Sequence, residues 1–161
     1  MAEVNNNDIL IRDVETKNIM TKSILPVGGY SVNPYVGCTH GCKYCYASFM
    51  KRFTGHTEPW GTFLDVKHWP AIKNPRKYAG QRVVIGSVTD GYQPQEEQFE
   101  NTRKLLWQLK DSGAESHLTM RLGRSAASFF KRPRSLSCMW LGIRCIIKGL
   151  NGLWSSIDRT W

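Results

Sequence analysis

The chain contains no apolar run close to the ~18–20 residues that a membrane-spanning helix needs. Its first residues, MAEVNNNDILIRDVETKN, lack a basic stretch followed by an apolar one, so they do not read as a secretory signal. Together these absences predict a cytosolic protein with no membrane partner. In a reducing compartment, clustered cysteines serve as metal ligands or catalytic groups more often than as disulfides. Internal repeats and low-complexity linkers are also missing. Acidic residues run out towards the end: residues 115–161 carry 8 Lys/Arg against 2 Asp/Glu, a net of +6, whereas residues 1–114 carry 14 against 11, a net of +3. The overall charge of +9 is therefore regional, and it reads first as a solvated basic tail rather than a nucleic-acid patch.

A fourth clustered thiol is missing too. Three of the five cysteines fall within eight residues, as Cys38-x-x-x-Cys42-x-x-Cys45. Structural zinc takes four ligands, usually from two paired units far apart in sequence. His40 or His56 could complete such a set, but no second pair appears, and Cys138 and Cys145 lie in the basic tail. A redox pair at Cys42 and Cys45 leaves Cys38 unexplained, and buried structural cysteines need no such close spacing. Iron–sulfur chemistry accounts for the number better. Clusters that only pass electrons use four thiolates, and three leave one iron open to another ligand.

Periodicity sketches the rest. Tyr30-Ser31-Val32 reads as a short strand stopped by Asn33-Pro34, and Val83-Val84-Ile85 as a strand buried on both faces. Residues 43–53 contain no Pro or Gly and repeat Tyr46, Phe49, Met50 and Phe53 at helical steps. A second helix is expected from about Glu96, with Glu96, Glu97 and Glu100 suiting its dipole, Phe99, Leu105, Leu106 and Leu109 on its apolar side, and Gly113 at its end. Residues 62–80 are mixed in character. Strand, helix, connection, strand, helix is the grammar of a parallel α/β sheet, with the two strands adjacent. After Ala114 that grammar lapses, and CMWLGIRCII is apolar without an evident partner.

The string NPYVGCTHGCKYCYA, followed by SVTDGYQPQE, resembles the radical S-adenosylmethionine superfamily and its spore-photoproduct-lyase-like branch, over about residues 19–113. The resemblance implies an α/β fold, the N-terminal portion of a partial (β/α)6 barrel, with a [4Fe–4S] cluster held by Cys38, Cys42 and Cys45. It implies S-adenosyl-L-methionine as cofactor, with Tyr44 beside its adenine and Ser87, Thr89 and Asp90 near its methionine end, and a reductant such as flavodoxin or ferredoxin as partner. Strand carboxyl ends are where barrel enzymes build their sites, which brings Ser87, Thr89 and Asp90 to the same region on independent grounds. Asp90 also reads as a turn former before Gly91, and Tyr35 and Tyr46 as packing residues.

This reading divides the chain into an N-terminal extension (1–29), a partial core with the cluster loop (30–114) and a basic tail (115–161). Family members run well past 250 residues, so the change of composition near Glu115 is read as a frame change or early termination that removes later strands. Two other readings stand beside this one. The first is a small metal-bound nucleic-acid-binding module, in which Arg121, Arg124, Lys131, Arg132 and Arg134 flank Phe129 and Phe130. The second is a fragment without function. The substrate is not legible, and nucleic acid is admitted among the partners.

Overall fold

The computed structural model describes residues 9–24 and 29–118, together with the backbone of two short strands at 137–138 and 145–146. In chain order the strands are β1 (Leu10–Glu15), β2 (Thr21–Lys22), β3 (Tyr30–Val32), β4 (Tyr35–Val36), β5 (Phe63–His68), β6 (Arg82–Ile85), β7 (Glu115–Leu118), β8 (Ser137–Cys138) and β9 (Cys145–Ile146). They form two sheets, with spatial orders β1-β5-β4 and β2-β3-β6-β7-β9-β8. The described strands do not close into a barrel.

The two strands expected at Tyr30–Val32 and Val83–Ile85 are adjacent and parallel: Tyr30 pairs with Val83 and Val32 with Ile85. The parallel run then continues one strand further, with Val83 opposite Ser116 and Ile85 opposite Leu118. The sheet therefore extends to Leu118, four residues past the expected boundary at 114. Glu115-Ser116-His117-Leu118 alternates exposed and buried positions, a pattern four residues long that is hard to distinguish from loop. Beyond it, β9 runs antiparallel to β7, and β8 antiparallel to β9. The other residues of the basic tail, including those proposed to flank Phe129 and Phe130, lie outside the described residues.

Two strands escaped the periodicity reading. β1 lies within the supposed N-terminal extension and pairs in parallel with β5 along its whole length. β5 interrupts its apolar run with Asp65 and Lys67, so FLDVKH reads as mixed, yet its first four residues are buried. Asp65 tolerates burial because His56 meets its carboxylate.

The main core lies between the six-stranded sheet and the helical segment. Val32, Val83, Ile85 and Leu118 from the sheet meet Leu105, Leu106 and Leu109, with Tyr78, Tyr92 and Trp69 around them. Burying each such leucine contributes about 1.5–3 kcal/mol. The single helix expected from Glu96 is two helices, α1 (Glu96–Phe99) and α2 (Asn101–Leu109). Glu100, at φ +50°, breaks them. A smaller cluster of Tyr35, Leu64 and Val66, joined by Ile9 and Phe99, fills the three-stranded sheet's side.

The helix expected over residues 43–53 is a 3₁₀ segment, Tyr46–Phe53. Most helical stability in proteins comes from burying an apolar face. Here only Ala47 is buried, while Tyr46, Phe49 and Phe53 face solvent. No helix among the described residues is long and apolar enough to cross a membrane.

Candidate metal centre

The cysteine loop leaves β4 through Gly37. This residue sits at φ +88°, and a Cβ there would lie 2.6 Å from the Phe63 carbonyl oxygen. Only glycine meets both demands. Cys38 follows at once. The loop turns through Gly41 N–H to Cys38 O at 3.4 Å and Cys45 N–H to Cys42 O at 3.1 Å. Gly41 rests on Gly61, where a Cβ would come within 2.8 Å of the Gly41 Cα. The loop is thus backed closely by the Phe63 main chain and ring at Gly37 and by Gly61 at Gly41.

SVTDGYQPQE follows β6 and grips this loop residue by residue. Asn33 Oδ1 accepts from Val88 N–H at 3.1 Å, and Asn33 Nδ2 donates to Ser87 Oγ at 3.2 Å. The Tyr35 hydroxyl donates to Glu96. Thr89 Oγ1 donates to Gly37 O at 2.6 Å. Gln93 Oε1 accepts from Thr39 N–H at 3.0 Å, and the Thr39 hydroxyl donates to Gln95 Oε1. Asp90 Oδ2 lies 3.4 Å from His40 Nε2, while Asp90 Oδ1 accepts from Tyr92 N–H at 2.8 Å. Thr89, Asp90, Gln93, Gln95 and Glu96 are all buried.

Glu96 is the innermost of these groups. Its carboxylate accepts from Thr102 N–H at 3.1 Å and Arg103 N–H at 3.0 Å, at the start of α2. Burial nevertheless pushes its pKa up to about 7. Burial, with the neighbouring Glu96 charge and hydrogen bond, raises the Tyr35 phenol as well.

Of the three loop thiols, Cys38 is buried, and Cys42 and Cys45 are partly exposed. Burial pushes the Cys38 thiol up to about 11, although hydrogen bonds from the His40 and Asp90 backbone amides oppose that rise. The second motif thus reaches the first thiol directly. Among the described residues no three His, Cys, Asp or Glu side chains converge to hold one metal ion. A cubane cluster makes a different demand, because each thiolate binds its own iron at a separate corner and the donors need not meet at a point. Three thiols on one glycine-backed turn, with backbone amides already donating to one of them, suit such a cluster.

The histidines considered as a fourth zinc ligand are otherwise engaged. His56 Nδ1 lies 3.0 Å from Glu58 and Nε2 2.9 Å from Asp65, and its ring stacks on Phe63 at 3.9 Å. His40 faces Asp90. Of the residues expected near the nucleoside cofactor, Tyr44 is 99% exposed. Ser87 is half-buried and lies 2.8 Å from Ser31 Oγ, at the carboxyl ends of β3 and β6. The side chains of Thr89 and Asp90 turn to the cysteine loop. Tyr46, read as a packing residue, is mostly exposed and donates its hydroxyl to Ser87 O.

Sequence reasoning passed over Asn33, Thr39, Gln93 and Gln95. One signal was available: residues 83–102 contain no Lys or Arg in a strongly basic chain. Polar side chains in a stretch without cations are candidates for inward-facing roles.

Comparison with known proteins gives a narrow result. The chain is 36% identical over 103 residues to an uncharacterized protein of the archaeon Methanocaldococcus jannaschii. The match covers 63% of this chain, which spans only 39% of the length of that relative. No family model matches, and no solved structure matches.

Proposed function

We propose that this chain is a radical S-adenosylmethionine protein of the cytoplasm, in which Cys38, Cys42 and Cys45 hold a [4Fe–4S] cluster with one iron left open. One observation carries this reading. The three-thiol loop and the strand leading into it are held in shape by a second motif that contacts them at Asn33, Tyr35, Gly37, Thr39 and His40. A loop whose only task was to turn the chain would not need five such buried or half-buried attachments. When bound, the cluster supplies one electron for reductive cleavage of S-adenosylmethionine. In this reading Thr89 and Asp90 act on the loop, fixing Gly37 and His40. Ser87, with Ser31 and Asn33, forms the polar group at the strand ends that faces the cofactor. A partial (β/α)6 barrel is the corresponding architecture, with β3, β6 and β7 as its first three strands. The reductant is a small electron carrier such as flavodoxin or ferredoxin.

The test is anaerobic reconstitution with iron and sulfide. About four irons per chain are expected, bound as one cubane cluster, with an EPR signal that changes when S-adenosylmethionine is added. Replacing Cys38, Cys42 or Cys45 by Ala should abolish the cluster, whereas Cys138→Ala and Cys145→Ala should leave it. A cluster lost only with the last two cysteines would refute this assignment.

A further inference from the structure

Four buried side-chain polar atoms among the described residues have no hydrogen-bond partner: His40 Nε2, Trp60 Nε1, Gln93 Nε2 and Ser116 Oγ. The first three are nitrogens; His40 Nε2 faces Asp90 Oδ2 at 3.4 Å, and His40 and Gln93 both adjoin the cysteine loop. His40 belongs to it. Trp60 precedes the glycine that backs Gly41. Gln93 bonds the residue after Cys38. Buried donors are rarely left unpaired, and each exception calls for an explanation. An unpaired amide donor beside a cysteine loop calls for an acceptor, and the sulfurs of an iron–sulfur cluster are acceptors only.

Gln93 makes the strongest case because its orientation is fixed. Its side chain is completely buried. Its Oε1 accepts from Thr39 N–H at 3.0 Å and lies 3.3 Å from Thr39 Oγ1. Flipping the amide would set Nε2 against the Thr39 N–H, donor against donor, so Nε2 is held on the other branch of the carboxamide. We infer that Gln93 is a positioning residue of the metal centre: its Oε1 fixes the backbone beside Cys38, and its Nε2–H donates to a sulfur of the bound cluster. Hydrogen bonds to cluster sulfurs are a principal means by which a protein tunes such a site. The inference rests on the cluster assignment proposed above.

Pulsed EPR tests it directly. Protein labelled with ¹⁵N in glutamine side chains, reconstituted and reduced, should show a weak ¹⁵N hyperfine coupling to the cluster. The coupling should be lost in Gln93→Glu, which keeps an acceptor for Thr39 N–H and removes the donor. A cluster of full iron content with no glutamine coupling overturns the inference, as does a coupling that survives Gln93→Glu. Should Gln93→Glu take up no iron, Gln95→Glu decides, because Gln95 is the other glutamine at Thr39. Persistence of the coupling in that variant supports Gln93, and its loss overturns it. A wild-type chain that assembles no cluster at all refutes the proposed function, and this inference with it. That result is distinguishable from a cluster lacking the coupling.

Discussion

Between Asn33 and His40 the chain is held from one side by residues 87–96, with Tyr35, Cys38 and Thr39 buried. Between residues 42 and 53 it carries four exposed aromatic rings, on Tyr44, Tyr46, Phe49 and Phe53. Arg52 lies over two of them, Phe53 at 4.6 Å and Phe49 at 5.6 Å. The first half contains Cys38; the second contains Cys42 and Cys45. The difference teaches that the buried attachments described above concentrate on the first thiol's side of the loop, from Asn33 to His40. Long-range contacts hold the backbone around Cys38, whereas the second half turns through short-range backbone bonds such as Cys45 N–H to Cys42 O and Ser48 N–H to Cys45 O. The Tyr46 hydroxyl bond to Ser87 is one exception, and the Lys51 Nζ bond to Thr57 O, at 3.0 Å, stays local.

The contrast can be broken most sharply at glycine. Gly37 and Gly55 both sit at positive φ, +88° and +73°, but a Cβ on Gly37 meets Phe63, and one on Gly55 meets nothing within 4 Å. Gly55→Ala should cost only the ~1–2 kcal/mol of the left-handed conformation. Gly37→Ala adds overpacking against β5 and should cost about 4 kcal/mol in all. Urea denaturation of the two variants measures the difference, and equal costs would erase the distinction between the halves.

The second effect is smaller and depends on pH. Glu96 has its carboxyl pushed up to about 7 in the folded protein, against 4.5 when unperturbed. The folded state therefore keeps a proton that the unfolded state releases. The resulting stability is complete below about pH 4.5 and is lost as pH rises through about 7. Across that window wild type should lose roughly 3 kcal/mol relative to Glu96→Gln. Denaturation of both proteins at pH 5 and pH 8 provides the comparison, and parallel pH profiles would show that Glu96 is not held in a desolvated site.

The smallest effect belongs to the exposed half. Phe53 is 67% exposed, so Phe53→Ser should change stability by no more than about 0.5 kcal/mol. A loss of several kcal/mol in thermal denaturation would reveal packing on the aromatic face and remove the contrast.

How far the sequence discloses this arrangement depends on whether a feature is local. The strand at Val83–Ile85 was legible from its β-branched run and that at Tyr30–Val32 from the Asn33-Pro34 stop, signals that need no knowledge of a partner. The two faces of residues 43–53 were legible as periodicity, but not their 3₁₀ winding, which follows from the lack of anything to bury against. β5 was hidden because its buried Asp65 is compensated by His56, nine residues away, and β1 because its partner is β5 itself. The cysteine triplet declared itself by spacing alone. The roles of Thr39 and Gln93 did not, since each is defined only by the other, 54 residues apart.

That separation also sets an order of assembly. The contacts that hold the first half of the loop join residues 50 to 61 positions apart, and such pairings form slowly because long stretches of chain must first be closed. During synthesis Cys38, Cys42 and Cys45 emerge well before Gln93 and Glu96. The nascent loop therefore carries its thiols without its clasp, and iron delivered at that stage would meet an unshaped peptide. On the proposed cluster assignment, productive metal loading follows the emergence and docking of residues 87–102. A pulse of iron during translation should thus be less productive than the same pulse given to the finished chain.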